Sequence, residues 1–248
     1  MASVELLWKL PLSDVTFTED EARVWGFELD QPPSCIGDLF QILSRDEMDR
    51  AAQFKHDQMR CRYVVARATL RRLLGEALKL DPSAIAFKYS LQGKPELAGE
   101  FAGKLFFNVS HSRGLALIAI TRICPLGVDL EQVRPLRYDI QIARRFFTPR
   151  ESAKLESLPE VERPAAFCSL WTRKEAWLKA KGSGIADSLN RVDISFLPGE
   201  PPRILNVADE PGEAEQWALI ELTPAKGFTG ALAIRAAGVR VFCQRFPS

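Results

Sequence analysis

The sequence predicts a mixed α/β fold, of the α+β kind, made of two similar halves. Three observations point there. Apolar residues recur at helical spacing in two long segments, from about Asp57 to Leu80 and from Ala165 to Lys181. Short runs rich in β-branched and aromatic residues flank each segment and are bounded by Gly, Pro, Asn and Ser. Between the two sets lies Cys124-Pro125-Leu126-Gly127, a turn-forming joint that divides the chain into residues 1–125 and 126–248. A chain of 248 residues is long enough to bury one large core or two modest ones.

Taken in order, Val24 to Leu29 reads as a strand, and Ser44 with Glu47 forms a capping box that opens a helix. The first long helix aligns Val64, Ala68, Leu70, Leu74 and Leu78, surrounds them with Arg60, Arg62, Arg67, Arg71 and Arg72, and stops before Asp81-Pro82. Phe87 to Ser90 is a short strand running into the turn Gly93-Lys94-Pro95; Lys104 to Val109 is another, ending at the polar cluster Ser110-His111-Ser112. Leu115 to Thr121 is a buried strand, the joint turns the chain, and Val128 to Glu131 is the next strand. Ile140 to Phe147 reads as a helix bounded by Thr148-Pro149, a shorter helix opens near Pro149, and the second long helix is closed by Gly182-Ser183-Gly184. Val192 to Phe196, Ile204 to Val207, Trp217 to Leu222 and Ala231 to Arg235 then alternate with Pro- and Gly-rich turns, the pattern of antiparallel hairpins.

Bulk properties exclude several classes. With 46% hydrophobic and 26% charged residues the chain is globular rather than disordered, and no internal repeat of solenoid length recurs. Its 33 basic against 32 acidic residues leave a net charge of +1, which gives no global field for nucleic acid or an anionic membrane. Five cysteines without a Cys-x-x-Cys spacing, and a start lacking a charged-then-apolar leader, fit reduced thiols in a cytoplasmic protein. The longest apolar run, near Leu115 to Ile120, is too short to cross a bilayer.

The chemistry concentrates in two stretches. In Gly127-Val128-Asp129-Leu130-Glu131 the two acids alternate about a leucine, so both face one way. Such a pair alone also describes a solvated strand face, but here it follows a buried strand. Glu175 and Lys179 share a face of the largely apolar second long helix; an intrahelical ion pair is the plain reading. Oxygen-only donors from Asp129, Glu131 and Glu175 suit Mg²⁺, with Mn²⁺ accepting the same set, and Lys174, Lys179 and Lys181 supply charge for phosphate. Together they predict a site that grips a polyphosphate through a metal and transfers part of it. His111 is either carbonyl-bonded or part of an anion site. Arg60, Arg62 and Arg67 are either a solvated face or phosphate-binding forks, and Gly93-Lys94-Pro95 is either a plain turn or the wall of a site for a flat heterocycle. P-loop, Rossmann, nucleophile-elbow and Cys/His metal patterns do not occur.

These stretches resemble the two signatures of the surfactin-type (Sfp) 4'-phosphopantetheinyl transferases: Gly127 to Glu131, and Trp171-Thr172-Arg173-Lys174-Glu175-Ala176-Trp177-Leu178-Lys179-Ala180-Lys181-Gly182. Gly93-Lys94-Pro95, Phe107-Asn108-Val109-Ser110-His111-Ser112 and Arg145-Phe146-Phe147 are similar to the family's auxiliary motifs, in the same order. The resemblance implies a pseudo-twofold pair of halves, each a small, mostly antiparallel sheet packed with a long helix. Coenzyme A, as co-substrate, and Mg²⁺ are expected in the cleft between them. It implies Asp129, Glu131 and Glu175 as metal ligands; these three and Lys179 as catalytic residues; and Arg50, Arg62, Gly93, Lys94, Pro95, Ser110, His111, Asp129, Lys174 and Lys179 as contacts to coenzyme A. Glu47 stands where some relatives have a lysine. The implied reaction moves phosphopantetheine to a serine of an apo acyl, aryl or peptidyl carrier protein, with no nucleic acid or membrane partner and a monomer as the working state. Arg137, Arg144, Arg145 and Arg150 are the candidate docking surface. A non-catalytic coenzyme A binder and a Mg²⁺-dependent phosphodiesterase are the rival classes. The sequence leaves open the carrier and its pathway, acyl-coenzyme A tolerance, the preferred metal and which glutamate is the base.

Overall fold

A computed structural model describes residues 17–90, 93–135, 137–182 and 189–246, and in residues 4–9 the backbone strand. The chain order is β1 (Val4–Lys9), β2 (Glu21–Glu28), α1 (Pro33–Phe40), α2 (Arg45–Ala52), α3 (Asp57–Leu78), β3 (Phe87–Tyr89), β4 (Pro95–Leu97), β5 (Phe106–Ser112), β6 (Leu115–Thr121) and β7 (Leu126–Gln132). It continues with α4 (Asp139–Phe146), α5 (Pro149–Ser157), α6 (Arg163–Lys181), β8 (Val192–Ile194), β9 (Ile204–Val207), β10 (Ala218–Leu222), β11 (Phe228–Ile234) and β12 (Arg240–Arg245).

The two halves repeat one plan. In the first, β2 is followed by α3 and then the β5–β6 hairpin; in the second, β7 is followed by α6 and then the β10–β11 hairpin. In both sheets the second hairpin strand lies between its hairpin partner and the strand that precedes the long helix: β6 pairs with β2 and β5, and β11 pairs with β7 and β10, all antiparallel. Two small hairpins, β3–β4 and β8–β9, decorate the halves. The last strand, β12, lies in the sheet of the first half, between β1 and β2 and parallel to both.

Strand alternation explains the layering. From β6, Ala116, Ile118 and Ile120 pack with Val64, Leu70 and Leu74 of α3, while Leu117 and Ala119 face a second cluster shared with Val128, Leu130, Leu232 and Ile234. The other face of β11, Ala231 and Ala233, packs with Trp177 and Leu178 of α6. Two sheets thus back onto each other, each covered outside by its long helix.

Two sequence expectations change. Leu126 and Gly127 belong to β7, with the turn confined to residues before them. And β5 does not end at Val109: Ser110, His111 and Ser112 stay in the strand because Arg113-Gly114 closes a tight hairpin, with Ser112 opposite Leu115 and Arg113 at φ 58°. Gly182 ends α6 at φ 74°, as expected, while Ser183 and Gly184 lie outside the described residues. Among the described residues no helix is long and apolar enough to cross a membrane.

Candidate active site

Even-numbered residues of β7 enter the inter-sheet core, so Gly127, Asp129 and Glu131 face the other way, toward α6. Gly127 sets the approach: a Cβ there would collide with the Ala176 carbonyl and the Ala180 amide of α6. Glu175 and Lys179, one helical turn apart, meet the strand at this point. The Lys179 ammonium donates to Asp129 Oδ1 at 2.6 Å, the Val128 carbonyl at 3.1 Å and Ser110 Oγ at 3.2 Å. Asp129 and Glu175 are 6% and 5% exposed, and among the described residues Asp129 Oδ2 and Glu175 Oε1 are buried without a hydrogen-bond partner. Burial pushes the Glu175 carboxyl up to about 7; the negative charges of Asp129 and Glu131 add to this and Lys179 opposes it.

The first half supplies the other wall. Strand β5 runs beside β7, and every second side chain of β5 bonds across the seam. Asn108 Oδ1 accepts from the Val128 amide at 2.9 Å, and Ser110 Oγ donates to Asp129 Oδ1 at 2.8 Å. Ser112 Oγ donates to Glu131 Oε2 at 2.8 Å and accepts from the Gln132 amide at 3.2 Å. The acidic pair is therefore oriented by hydroxyls from the opposite half. Ser112 and Asn108 were not among the expected site residues; their i, i+2, i+4 spacing with Ser110 was the available signal.

Among the described residues no group of three His, Cys, Asp or Glu side chains is gathered closely enough to hold a metal alone. The chemistry of the donors still fits a hard cation: two buried carboxylate oxygens lack partners, and Glu131 has a second oxygen outside its Ser112 bond. Such a cation would share its shell between these oxygens, substrate phosphate and water.

Lys174 does not belong to this site. It is fully buried, and its ammonium is paired with Glu151 Oε2 at 2.7 Å and donates to the Leu189 carbonyl at 2.6 Å and to the Val192 carbonyl. Three donors meet three acceptors, which leaves none for phosphate. The reason is helical geometry: Lys174 is one residue from Glu175 and points about 100° around the helix from it. Lys181 lines the cleft beside Lys179, but its ammonium is paired with Glu210 at 2.5 Å.

Coenzyme A contacts were expected around α3, and a cavity of about 510 Å³ lies there, lined by Arg50, Phe54, Arg62, Tyr63, Gly93, Pro95, His111 and Arg113 among others. It shares Gly93, Pro95 and Val109 with a cleft of about 750 Å³ that holds Lys94, Glu175 and Lys179 and separates the halves. Neighbouring strand residues point opposite ways, so His111 faces the cavity while Ser110, expected beside it, faces Asp129 instead. The Lys94 ammonium is directed across the cleft, to the Lys179 carbonyl at 2.7 Å; burial lowers its pKa. The α3 arginines divide: Arg60 and Arg72 are exposed, as a solvated face expects, while Arg67 and Arg71 turn inward. Glu47, fully buried, accepts from Arg67 at 2.8 Å and from Arg71 at 2.6 Å, and Arg71 also donates to the Ile85 carbonyl at 2.8 Å. The sequence signal was the one-turn spacing of Arg67 and Arg71 beside a capping-box glutamate.

Comparison with known proteins agrees with this geometry. Residues 125–232 match the 4'-phosphopantetheinyl transferase superfamily, and residues 33–122 match the family described as 4'-phosphopantetheinyl transferase, N-terminal. The 4'-phosphopantetheinyl transferase HetI of Nostoc sp. is 39% identical over 93% of this chain and 94% of its own length. A putative 4'-phosphopantetheinyl transferase of Synechocystis sp. is 35% identical over 80% of this chain and 78% of its own. The 4'-phosphopantetheinyl transferase Sfp of Bacillus subtilis is 26% identical over 69% of this chain and 75% of its own. With the buried carboxylates, the facing lysine and the cavity beside them, these likenesses have one reading: the chain belongs to the 4'-phosphopantetheinyl transferase superfamily, and within it to the surfactin (Sfp) type.

Proposed function

We propose that this protein transfers the 4'-phosphopantetheine group of coenzyme A to a serine hydroxyl of an apo acyl, aryl or peptidyl carrier protein, releasing adenosine 3',5'-bisphosphate. The observation that carries the reading is the pair of unpartnered buried oxygens, Asp129 Oδ2 and Glu175 Oε1, beside Lys179 in a cleft that adjoins a cation-rimmed cavity. A pure binding module has no use for open buried carboxylates, whose desolvation costs stability. Asp129, Glu131 and Glu175 would hold Mg²⁺, or Mn²⁺ in its place. When bound, the ion would neutralise charge on the diphosphate.

The protein's own groups do the rest. Arg62 and Arg50 would take the 3'-phosphate, Gly93 and Pro95 the adenine side, and His111 a phosphate oxygen, so the diphosphate reaches the shared edge of the two cavities. Lys179 already donates to three oxygens, and exchanging one of them for a departing phosphate oxygen places its charge on the leaving group. Glu175, buried at the seam beside Lys179, is the preferred base for the incoming serine, directly or through a metal-bound water. Glu131 is the second choice. The arginines of α4 and its flanks, Arg137, Arg144, Arg145 and Arg150, would meet an acidic carrier, although Arg144 is already paired with Glu156 at 2.6 Å. The parts 1–125 and 126–248 supply both sides of the cleft from one chain, so a cytoplasmic monomer suffices.

The test is to incubate the protein with coenzyme A, Mg²⁺ and an apo carrier, and to record the intact mass of the carrier. The expected result is a gain of one phosphopantetheinyl group with adenosine 3',5'-bisphosphate as co-product. Coenzyme A cleaved without carrier labelling would mean a phosphodiesterase. Coenzyme A bound and left intact would mean a binding module.

A further inference from the structure

The cavity beside α3 joins apolar walls, including Phe54, Tyr63 and Leu70, to a rim of guanidinium groups from Arg50, Arg62 and Arg113. Arg50 and Arg113 are exposed, and among the described residues neither makes an ion pair. Arg62 differs. Its Nε donates to Asp30 Oδ1 and its Nη2 to Asp30 Oδ2, both at 2.7 Å, in a bidentate fork. Asp30 is seated for this contact by the fold. The Leu29 amide donates to the Gly114 carbonyl at 2.7 Å, which ties this segment to the β5–β6 turn. A Cβ on residue 114 would stand 2.7 Å from Asp30 Oδ2, so the glycine there leaves room for the carboxylate. Gln58 Nε2 adds a longer bond to Asp30 Oδ1 at 3.4 Å. The Arg62 bond holds the Asp30 carboxyl below its ordinary pKa, so it is ionised at neutral pH.

A ligand phosphate has two ways to reach Arg62. On the Nε–Nη2 edge it must displace Asp30; on the Nη1 edge it comes to rest beside the Asp30 charge. Both routes oppose binding, and both act on the phosphate that Arg62 contacts. We infer that Asp30 is a specificity-determining residue that weakens the hold on the 3'-phosphate of coenzyme A by giving Arg62 a resident carboxylate partner. This rests on the proposed coenzyme A site and adds to it a counter-charge on the protein. The enzyme holds its substrate, and the bisphosphate product carrying the same 3'-phosphate, less tightly than its arginines alone would.

The experiment measures dissociation constants by calorimetry for coenzyme A and for 3'-dephospho-coenzyme A, without carrier, on wild type and Asp30→Asn. Asparagine keeps the shape beside Gly114. The expected result is about tenfold tighter binding of coenzyme A by Asp30→Asn, shrinking as salt is raised, with 3'-dephospho-coenzyme A changed less than about twofold. Arg62→Met in both backgrounds closes the cycle and should remove most of the gain. Unchanged or weaker coenzyme A binding by a folded Asp30→Asn protein would overturn the inference alone, as would equal tightening of both ligands. Wild-type protein that binds neither ligand would overturn it together with the reading it rests on.

Discussion

Helices α3 and α6 occupy the same place in two halves of one plan, yet among the described residues only α6 carries a buried carboxylate with an unpartnered oxygen. On α3, Arg67 and Arg71 are matched by a single buried glutamate, Glu47, and Arg71 by backbone carbonyls as well. On α6 the Lys174 face is closed in the same manner by Glu151, while a little way around the helix Glu175 keeps an unpartnered oxygen opposite Asp129. A place in the fold therefore does not confer chemistry. Closed pairs hold elements together, and the two open carboxylate oxygens gathered beside Lys179 mark where a ligand is expected.

The contrast makes separable predictions, since closed pairs should govern stability and open carboxylates turnover. The largest effect falls on the closed pair of the second half: Lys174→Met leaves Glu151 buried without its partner, and should cost about 3–5 kcal/mol in urea unfolding. A Glu151→Gln, Lys174→Met double variant should regain more than half of that, and its coenzyme A affinity should match wild type. If instead Lys174→Met left stability intact and abolished coenzyme A binding, the separation would fail. Next, Asp129→Ala should lower turnover about 10²–10³-fold, equivalent to about 3–4 kcal/mol, without loss of thermal stability. Normal turnover by the folded variant would end the assignment. In the first half, Glu47→Ala should cost about 2–3 kcal/mol, less than the Lys174 change because Arg71 keeps its carbonyl partners.

The last test sharpens the comparison through pH. Glu175 is raised from 4.5 to about 7, so between those values the folded protein holds a proton that the unfolded chain has released. Its contribution therefore makes the metal-free protein less stable as pH rises through that window, on the order of 3 kcal/mol, and levels off above it. Glu175→Gln should flatten this part of the profile in pH-dependent melting. A slope identical to wild type would show that Glu175 titrates normally.

Much of this was legible in the sequence because it depends on local period. The alternation of Asp129 and Glu131 about Leu130, the i, i+4 placement of Glu175 and Lys179 and the Ser44–Glu47 box are all properties of neighbours in the chain. The same periodicity, applied strictly, would have turned Lys174 away from Glu175 and split Ser110 from His111. What could not be read locally were partners from distant segments: Asp30 for Arg62, Glu151 for Lys174, and Ser112 for Glu131. The short α1, opening at Pro33 and interrupted by Gly37, and β12, which pairs with strands more than two hundred residues away, escaped for the same reason.

That last strand has a consequence for how the molecule is made. Because β12 is inserted between β1 and β2, the amino-terminal strand has no neighbour in its sheet until residues 240–245 are present. During synthesis on the ribosome the first sheet must wait, open at one edge, while the rest of the chain is translated. Completion of this first sheet is thus timed by a strand translated more than two hundred residues after β1.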